Sequence, residues 1–302
     1  MKLPSRRAAA AIAFVLALAA VAFFWLSRPE PLAASAIPTH AVDRANGEVL
    51  FHAGSCYACH KAAAGAAVPA LPSGGSPFKT PIGVFYPQNL TPDAETGLGR
   101  WSDADFVNAM TRGLAPDGRP YFPAFPYMAY RAMKLTDVLD LRAYLMSLPA
   151  VKAVAPRHAV PLLAFARRGV GLWKRLAFAQ APFAFASAGG GESWTRGAYL
   201  VNAPGHCGEC HTPKNLLMIE SLGRYMAGGP HPGGEGKVPS LRGLLERKKY
   251  KNAADLVLAL QNGEELGYKD ISSGGMGAIQ SNLAQLPEAD VRAIADYLVS
   301  LK

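Results

Sequence analysis

All four cysteines of this 302-residue chain lie in two strings of one pattern, in which a histidine directly follows the second cysteine. The strings are Cys56-Tyr57-Ala58-Cys59-His60 and Cys207-Gly208-Glu209-Cys210-His211. Two intervening residues bring both thiols to one side of a helical turn, where they can form thioethers with the two vinyl groups of a haem while the histidine binds its iron. The pattern predicts two covalently attached haems c. Because no cysteine is left over, it excludes a disulfide framework.

Two other kinds of site also use a Cys-x-x-Cys pair. A thioredoxin-like redox pair needs no histidine after it and usually sits in a βαβ unit, whereas this sequence shows no convincing alternating strand pattern. A zinc site needs its ligand pairs close together, but Cys56 and Cys207 are 151 positions apart and each string is self-contained. Haem attachment is therefore the better interpretation of both strings.

The chain around the two strings is duplicated, and the shared features are helical. Ser102 and Asn252 are candidate N-caps, and Gly113 and Gly263 stand where a left-handed residue would end the same two helices. The apolar stripes of these helices are Phe106, Val107 and Met110 in the first half and Leu256, Val257 and Leu260 in the second. A later helix repeats too, with Val138, Leu141, Tyr144, Leu145 and Leu148 matching Val291, Ile294, Tyr297, Leu298 and Leu301. We predict an all-α protein built by tandem duplication.

The amino-terminal segment, residues 1–30, carries three basic residues before an uninterrupted apolar run from Ala8 to Leu26. This run of 19 residues is long enough to span a membrane and longer than the core of most signal peptides. Basic residues before the run place the amino terminus in the cytoplasm and export the remainder. A transmembrane anchor is the preferred interpretation, and a signal peptide cleaved near residues 34–36 is the alternative.

The exported body divides into a first haem domain at 40–150, a linker at 151–193 and a second haem domain at 194–302. The linker is basic and aromatic, with Arg167, Arg168, Lys174, Arg175, Trp173 and Phe178. A short helix near 162–179 would either pack across both halves or lie against lipid headgroups. The net charge of +9 lies partly beside the apolar run and partly in this linker. No run of basic residues interleaved with aromatic ones looks like a nucleic-acid groove, so no nucleic-acid partner is predicted.

Longer strings beyond the cysteines carry a resemblance to a known family. They are Tyr-Pro-Gln-Asn-Leu-Thr-Pro-Asp at 86–93, Trp-Ser-Asp-Ala-Asp-Phe at 101–106, Tyr-Phe-Pro-Ala-Phe-Pro-Tyr at 121–127, and the residues 205–215 around the second cysteine string. The chain resembles the class I c-type cytochromes, specifically the membrane-anchored two-haem cytochromes related to the cytochrome c subunits of bacterial alcohol and aldehyde dehydrogenases. This resemblance implies two tandem class I cytochrome c domains after an amino-terminal transmembrane helix, with electron transfer as the activity.

A class I cytochrome completes the coordination of its iron with a methionine that precedes the last helix, so the resemblance also implies distal ligands. In the second half Met276, in Gly274-Gly275-Met276-Gly277, is the candidate. In the first half Phe125 replaces the methionine that such relatives often carry in Ala-Met-Pro-Tyr. Met133 is preferred there and Met128 is the alternative, while a histidine or an open iron position also stays possible. The predicted iron ligands are His60, Met133, His211 and Met276.

Several other polar residues lie near the two strings. Arg100, Trp101, Tyr86 and Asn89 are candidate donors to the haem propionates, or else ordinary loop and core residues. The histidines His52, His158, His206 and His231 lack the spacing of a metal site, and we interpret them as solvated or structural.

The leading functional hypothesis is a membrane-tethered electron carrier with its haem domains in the periplasm. It would relay single electrons from a periplasmic dehydrogenase, or the quinol side, to a downstream cytochrome or oxidase, without catalytic residues of its own. The alternative is a dihaem enzyme such as a peroxidase or a thiosulfate dehydrogenase. That class needs an open or exchangeable iron position, which the residue Phe125 permits at the first haem only.

Overall fold

The computed structural model describes residues 5–66, 68–80, 82–160, 163–180, 190–233, 236–263 and 276–302, with no description of the side chains of 163–166. Among the features described above, Lys2 (one of the three basic residues before the apolar run), the glycines Gly274 and Gly275, and residues 161–162 and 181–189 of the linker lie outside the described residues. Both cysteine strings and all three candidate methionine ligands lie inside them.

The described part of the chain is mostly helical, which confirms the predicted fold class. Its helices are α1 (Arg6–Leu26), α2 (Arg44–Ala53), α3 (Cys56–His60), α4 (Asp103–Arg112), α5 (Tyr127–Tyr130), α6 (Leu135–Ser147), α7 (Leu163–Phe178), α8 (Glu192–Asn202), α9 (Gly208–His211), α10 (Ala253–Asn262), α11 (Met276–Leu283) and α12 (Glu288–Val299). Two small antiparallel hairpins accompany them, β1 (Phe78–Thr80) with β2 (Gly83–Phe85) and β3 (Gly229–Pro230) with β4 (Lys237–Val238). Strands of two or three residues are too short for an alternating pattern, so the sequence does not reveal them.

The helix ends follow local sequence as expected. Ser102 caps α4 through a hydrogen bond from Asp105 N to its Oγ, and the carboxylate of Asp105 accepts a hydrogen bond from Ser102 N in return. Asn252 caps α10 in a similar way. Both helices end at a glycine in the left-handed conformation, with φ 58° at Gly113 and 74° at Gly263. The apolar stripes of both helices are buried, which places Met110 in the core.

Two glycines allow the helix that leads into each cysteine string to cross the last helix of its half at close range. A Cβ on Gly47 of α2 would lie 2.1 Å from the carbonyl oxygen of Asp140 in α6. A Cβ on Gly197 of α8 would lie 1.8 Å from the carbonyl oxygen of Ala293 in α12. No side chain fits at such distances, so only glycine permits these crossings. The two crossings place both cysteine strings in equivalent positions.

The two halves share their cores rather than standing apart. Tyr199 and Ala203, from the second half, are buried in the apolar cluster of the first half. Ala53, from the end of α2, is buried in the cluster of the second half. The end of α8 and the end of α2 therefore form the contact between the halves, immediately before the two cysteine strings.

The linker helix α7 packs across both halves. Lys174 Nζ donates a hydrogen bond to Gly113 O in the first half at 3.0 Å, and Arg131 Nη1 donates to Phe178 O at 3.2 Å. Trp173 Nε1 donates to Leu217 O in the second half at 2.6 Å. Of the two predicted roles of this helix, the structure shows the packing role.

Helix α1 is the candidate membrane span. It has 21 residues, a mean hydropathy of 2.6 over its most apolar window, and no buried residue. Its length and composition suffice to cross a membrane, and a signal sequence would meet the same criteria.

We predict that Gly197→Ala destabilises the second half, because the added methyl group overlaps main chain that cannot move without separating α8 from α12. The expected loss is about 2–3 kcal/mol of unfolding free energy, the usual cost of overpacking a core. Calorimetry of the haem-loaded protein measures it as a lower Tm. Gly169→Ala in α7 is the control, since a Cβ there meets no atom within 4 Å. Equal Tm values for the two variants would contradict the close crossing.

Candidate cofactor sites

Each histidine of the two strings has one ring nitrogen held by a main-chain carbonyl. His60 Nδ1 lies 2.7 Å from Gln88 O, and His211 Nδ1 lies 2.8 Å from Pro239 O, 28 positions downstream in both cases. A carbonyl oxygen only accepts, so Nδ1 carries the proton and the lone pair of Nε2 is left for a metal. Burial lowers the pKa of both rings, which keeps them neutral. A neutral imidazole oriented through Nδ1 is the form that binds iron.

The main chain of each histidine is also held, by a glycine in the left-handed conformation. His60 O accepts a hydrogen bond from Gly74 N at 2.8 Å, and His211 O accepts one from Gly228 N at 2.7 Å. Both glycines have φ of 73°. A Cβ on Gly228 would lie 2.6 Å from Val238 O, close to the carbonyl of Pro239 that holds the ring. The glycine thus keeps the loop that carries this carbonyl close to the histidine.

The residue before each cysteine string adopts the left-handed conformation, with φ 47° at Ser55 and 40° at His206. This conformation costs a non-glycine residue roughly 1–2 kcal/mol. It turns the chain from the end of α2 into α3, and from the end of α8 toward α9. The same strained turn at both strings shows that the duplication extends to the backbone that presents the cysteines.

The four thiols fit thioether formation better than thiolate chemistry. None of them forms a disulfide. Desolvation raises the pKa of Cys56 and of Cys207 to about 12 in each case, with the second cysteine of each string raising it further. Redox-active cysteines have lowered pKa values because they act as thiolates. Among the described residues, no three histidine, cysteine or acidic side chains are grouped to hold a metal ion. Paired neutral sulfurs beside an imidazole with a free Nε2 match the attachment of haem c.

The candidate distal ligands of the first half differ in their surroundings. Met133 is 5% exposed and belongs to the apolar cluster against which Cys56 and Tyr57 pack. Met128, on α5, is half-buried and belongs to neither of the two core clusters. Phe125, which stands where relatives often have a methionine, packs edge-on against Tyr130 with 5.5 Å between ring centroids. Of the two methionines, Met133 shares its apolar cluster with the first cysteine string.

Met276 lies in α11, so the structure shows a helical residue where the sequence suggests a glycine-rich loop. Gln280 explains the helix, because its side-chain amide donates to Leu260 O and Gln261 O at the end of α10. These bonds satisfy orphan carbonyls of α10 and join the two helices. Helix α11 also packs against α2 and α3 of the first half. Met276 is half-buried at its start.

Asn89 has no donor left for a haem propionate. Its Nδ2 donates to Val151 O at 2.7 Å and to Thr96 Oγ1 at 3.1 Å, while its Oδ1 accepts from Thr91 N. The side chain is 2% exposed and holds the loop after Gln88 against the start of the linker. Of its two candidate roles, the structural one is therefore correct.

The two cysteine strings meet at the contact between the halves. His206, next to Cys207, has its Nε2 3.2 Å from Gly54 O, and its ring packs on Tyr130 with 5.6 Å between centroids. Desolvation and the charge of Glu209 are the main causes that raise the pKa of the Cys210 thiol to about 11. Cys59, from the first string, contributes a smaller part of this increase. The interpretation of His206 as structural is correct, and its place is the junction between the two strings.

Sequence comparisons agree with this geometry. The family described as Cytochrome c matches residues 44–149 and 195–302. The chain is 36% identical to a "Diheme cytochrome c-type" of Cereibacter sphaeroides over 97% of each chain. It is 33% identical to the "Fructose dehydrogenase cytochrome subunit" of Gluconobacter japonicus, over 90% of this chain and 54% of that one. It is 30% identical to the "Alcohol dehydrogenase (quinone), cytochrome c subunit" of Gluconobacter oxydans, over 84% and 54%.

The chain belongs to the cytochrome c family. Two matched regions and a dihaem relative confirm that its cofactors are two covalently attached haems c and that it transfers electrons. The cytochrome spans nearly all of its dihaem relative but about half the length of the two dehydrogenase subunits.

The main-chain partners of the two histidines carry no sequence signal in this cytochrome. Gln88 and Pro239 act through carbonyl oxygens, which every residue possesses. Gly74 and Gly228 have a positive φ and close main-chain neighbours, and neither property can be recognised among the many glycines of the sequence. The equal spacing of 28 positions would single out the two carbonyls only once their role was known.

We predict that Gly228→Ala raises the reduction potential of the second haem. The methyl group pushes away the segment that carries Pro239 O and weakens the hydrogen bond from His211 Nδ1, so the imidazole donates less charge to ferric iron. A net hydrogen bond of about 1 kcal/mol corresponds to roughly 40 mV for a one-electron couple. Potentiometric titration of both haems measures the shift.

Gly236→Ala is the matched control for this prediction. Gly236 also has a positive φ, 79°, but a Cβ there meets no atom within 4 Å. It therefore introduces backbone strain without the contact. An equal shift in both variants, or a shift confined to the first haem, would refute the role of Gly228.

Proposed function

We propose that this cytochrome is tethered to the bacterial inner membrane by α1, with both haem domains in the periplasm. It accepts single electrons from a dehydrogenase, or from the quinol side, and passes them to a downstream cytochrome or oxidase. The names of the fructose and alcohol dehydrogenase cytochrome subunits support a dehydrogenase as donor. The length of α1 and its lack of buried residues support the tether.

Each cysteine string holds one haem in this proposal. Cys56 and Cys59 form the thioethers of the first haem and His60 binds its iron, while Cys207, Cys210 and His211 do the same for the second. When bound, each haem supplies an iron that changes by one electron between the ferrous and ferric states. The distal ligands are Met133 and Met276, whose thioether sulfurs raise the reduction potential relative to a second imidazole.

The contact between the two cysteine strings is the observation that carries the proposed relay. His206 touches the turn before the first string through Gly54 O, and its ring packs on Tyr130 of the first half. The residues that would hold the two haems therefore lie on the two sides of one junction between the halves. An electron can pass between the haems without leaving the protein, as a relay requires.

The residue Phe125 favours a second candidate function, a dihaem enzyme such as a peroxidase or a thiosulfate dehydrogenase. Phenylalanine cannot bind iron. An iron whose sixth coordination position has no protein ligand would be open to a substrate. The burial of Met133 in the cluster that contacts Cys56 weighs against this candidate, because it places a sulfur in the first half that Phe125 does not supply.

We expect the reduced, purified protein to show no rapid change in its haem spectrum when carbon monoxide is added. In the proposal, each iron already has six ligands: four porphyrin nitrogens, one histidine and one methionine. The measurement is a stopped-flow spectrum of the full chain. Met276→Ala is the positive control, since loss of the proposed distal ligand opens the second iron to carbon monoxide. Rapid binding at one haem of the unmutated protein would favour the enzyme over the relay.

We predict that Met133→Ala removes the sulfur-to-iron charge-transfer band of the first haem and leaves that of the second. The band of the oxidised protein should fall to about half its intensity, because one of two thioether ligands is lost. Met128→Ala is the matched control and should leave the band unchanged. The opposite pattern would assign the first haem to Met128, and no change in either variant would leave it without a methionine ligand.

A further inference from the structure

Helix α7 presents three different faces. At about 100° per residue, Val170, Lys174 and Ala177 share one face, which is buried and from which Lys174 donates to Gly113 O of the first half. Arg168, Gly171 and Arg175 share a second. Leu172 and Leu176 lie on the third, and Leu176 is 55% exposed. The packing of α7 between the halves thus uses only part of its surface.

The second face of α7 is fixed across the end of α1. Arg168 Nε donates to Ser27 Oγ at 3.0 Å and its Nη2 donates to Phe24 O at 3.1 Å. Arg175 donates to Leu26 O and pairs with Glu30. These bonds satisfy carbonyl groups that the end of a helix leaves without partners. Helix α7 is therefore held where the chain leaves the apolar segment of α1.

The third face continues into an exposed apolar loop of the second half. Trp173 Nε1 donates to Leu217 O, which joins the loop to α7 at this face. Leu216 is fully exposed, and Leu217, Met218 and Leu222 are each about half exposed. Soluble surfaces seldom carry neighbouring apolar side chains in this way, so such a patch marks a contact with an apolar phase or a partner.

We propose that Leu172 and Leu176 of α7, together with residues 216–222, form a second membrane contact that lies in the boundary between headgroups and acyl chains of the bilayer that α1 spans. This inference rests on the proposed membrane tether. An amphipathic helix with arginines at its side and a tryptophan at its edge is suited to this boundary. The contact holds the haem domains against the surface of the bilayer.

Continuity with α1 selects a bilayer rather than a protein as the occupant. The apolar patch begins on α7, and the neighbouring face of this helix forms hydrogen bonds with Phe24, Leu26 and Ser27. A bilayer around α1 therefore reaches the patch directly. Arg28 and Arg168 are exposed beside the carboxyl end of α1, where the proposed bilayer would place its lipid phosphates. A dehydrogenase subunit seated on the patch would have to displace lipid from beside α1.

The test uses the full, haem-loaded chain in nanodiscs of phosphatidylethanolamine and phosphatidylglycerol. A small fraction of the lipid carries a diazirine near the top of one acyl chain, and adducts are located by peptide mass spectrometry after illumination. We expect adducts in α1, in residues 172–176 and in residues 216–222. Leu258 of α10, a leucine of similar exposure outside the patch, should carry none.

A pair of variants tests the contact by charge. Leu217→Glu should lower the adduct yield at residues 216–222 by about tenfold, because a carboxylate is costly in the acyl region. Leu258→Glu should leave the yield unchanged. Haem content and spectrum, measured in both, show that the fold is retained.

Each pattern of adducts supports or contradicts the proposed membrane contact. Adducts in α1 and in the patch support the second contact. Adducts in α1 but not in the patch contradict the second membrane contact and leave the tether supported. The same conclusion holds if an added dehydrogenase subunit cross-links to Leu216 or Leu217 instead. The absence of adducts in α1 and in the patch overturns both the tether and the contact.

Discussion

The hydrogen bond from Nδ1 of each string histidine to a main-chain carbonyl determines how the rest of this cytochrome is arranged. The bond leaves Nε2 as the only ring nitrogen for iron and sets the direction in which it points. It also ties a loop 28 positions downstream to the short helix that carries the cysteines. Because Gly74 and Gly228 are required to bring the loops this close, one bond in each half constrains a long stretch of chain.

The same constraint appears twice, but the halves are not independent. The crossings at Gly47 and Gly197 repeat within each half, whereas Tyr199 and His206 reach from the second half into the first. The hydroxyl of Tyr199 donates to the buried carboxylate of Asp137, so the contact is polar as well as apolar. A shared core holds the two cysteine strings at a constant separation, which a relay between two haems needs.

The linker joins this shared core to the candidate membrane segment. One face of α7 satisfies main-chain carbonyls in the first half, another satisfies those at the end of α1, and Trp173 reaches the second half. Its basic side chains, which account for part of the net charge, thus have structural partners. The orientation of the haem domains relative to α1 follows from these bonds.

Local chemistry let the sequence alone determine the haem attachment strings, the duplication, the helical fold class, and the caps at Ser102 and Asn252. Such features depend on residue type and short spacing, which a chain displays without folding. Only the tertiary structure decided that Asn89 has no free donor, that Met276 lies in a helix, and that His206 lies between the two strings. These outcomes depend on carbonyl groups and neighbours far away in the chain. Every residue has a carbonyl, so only folding selects the ones that are used.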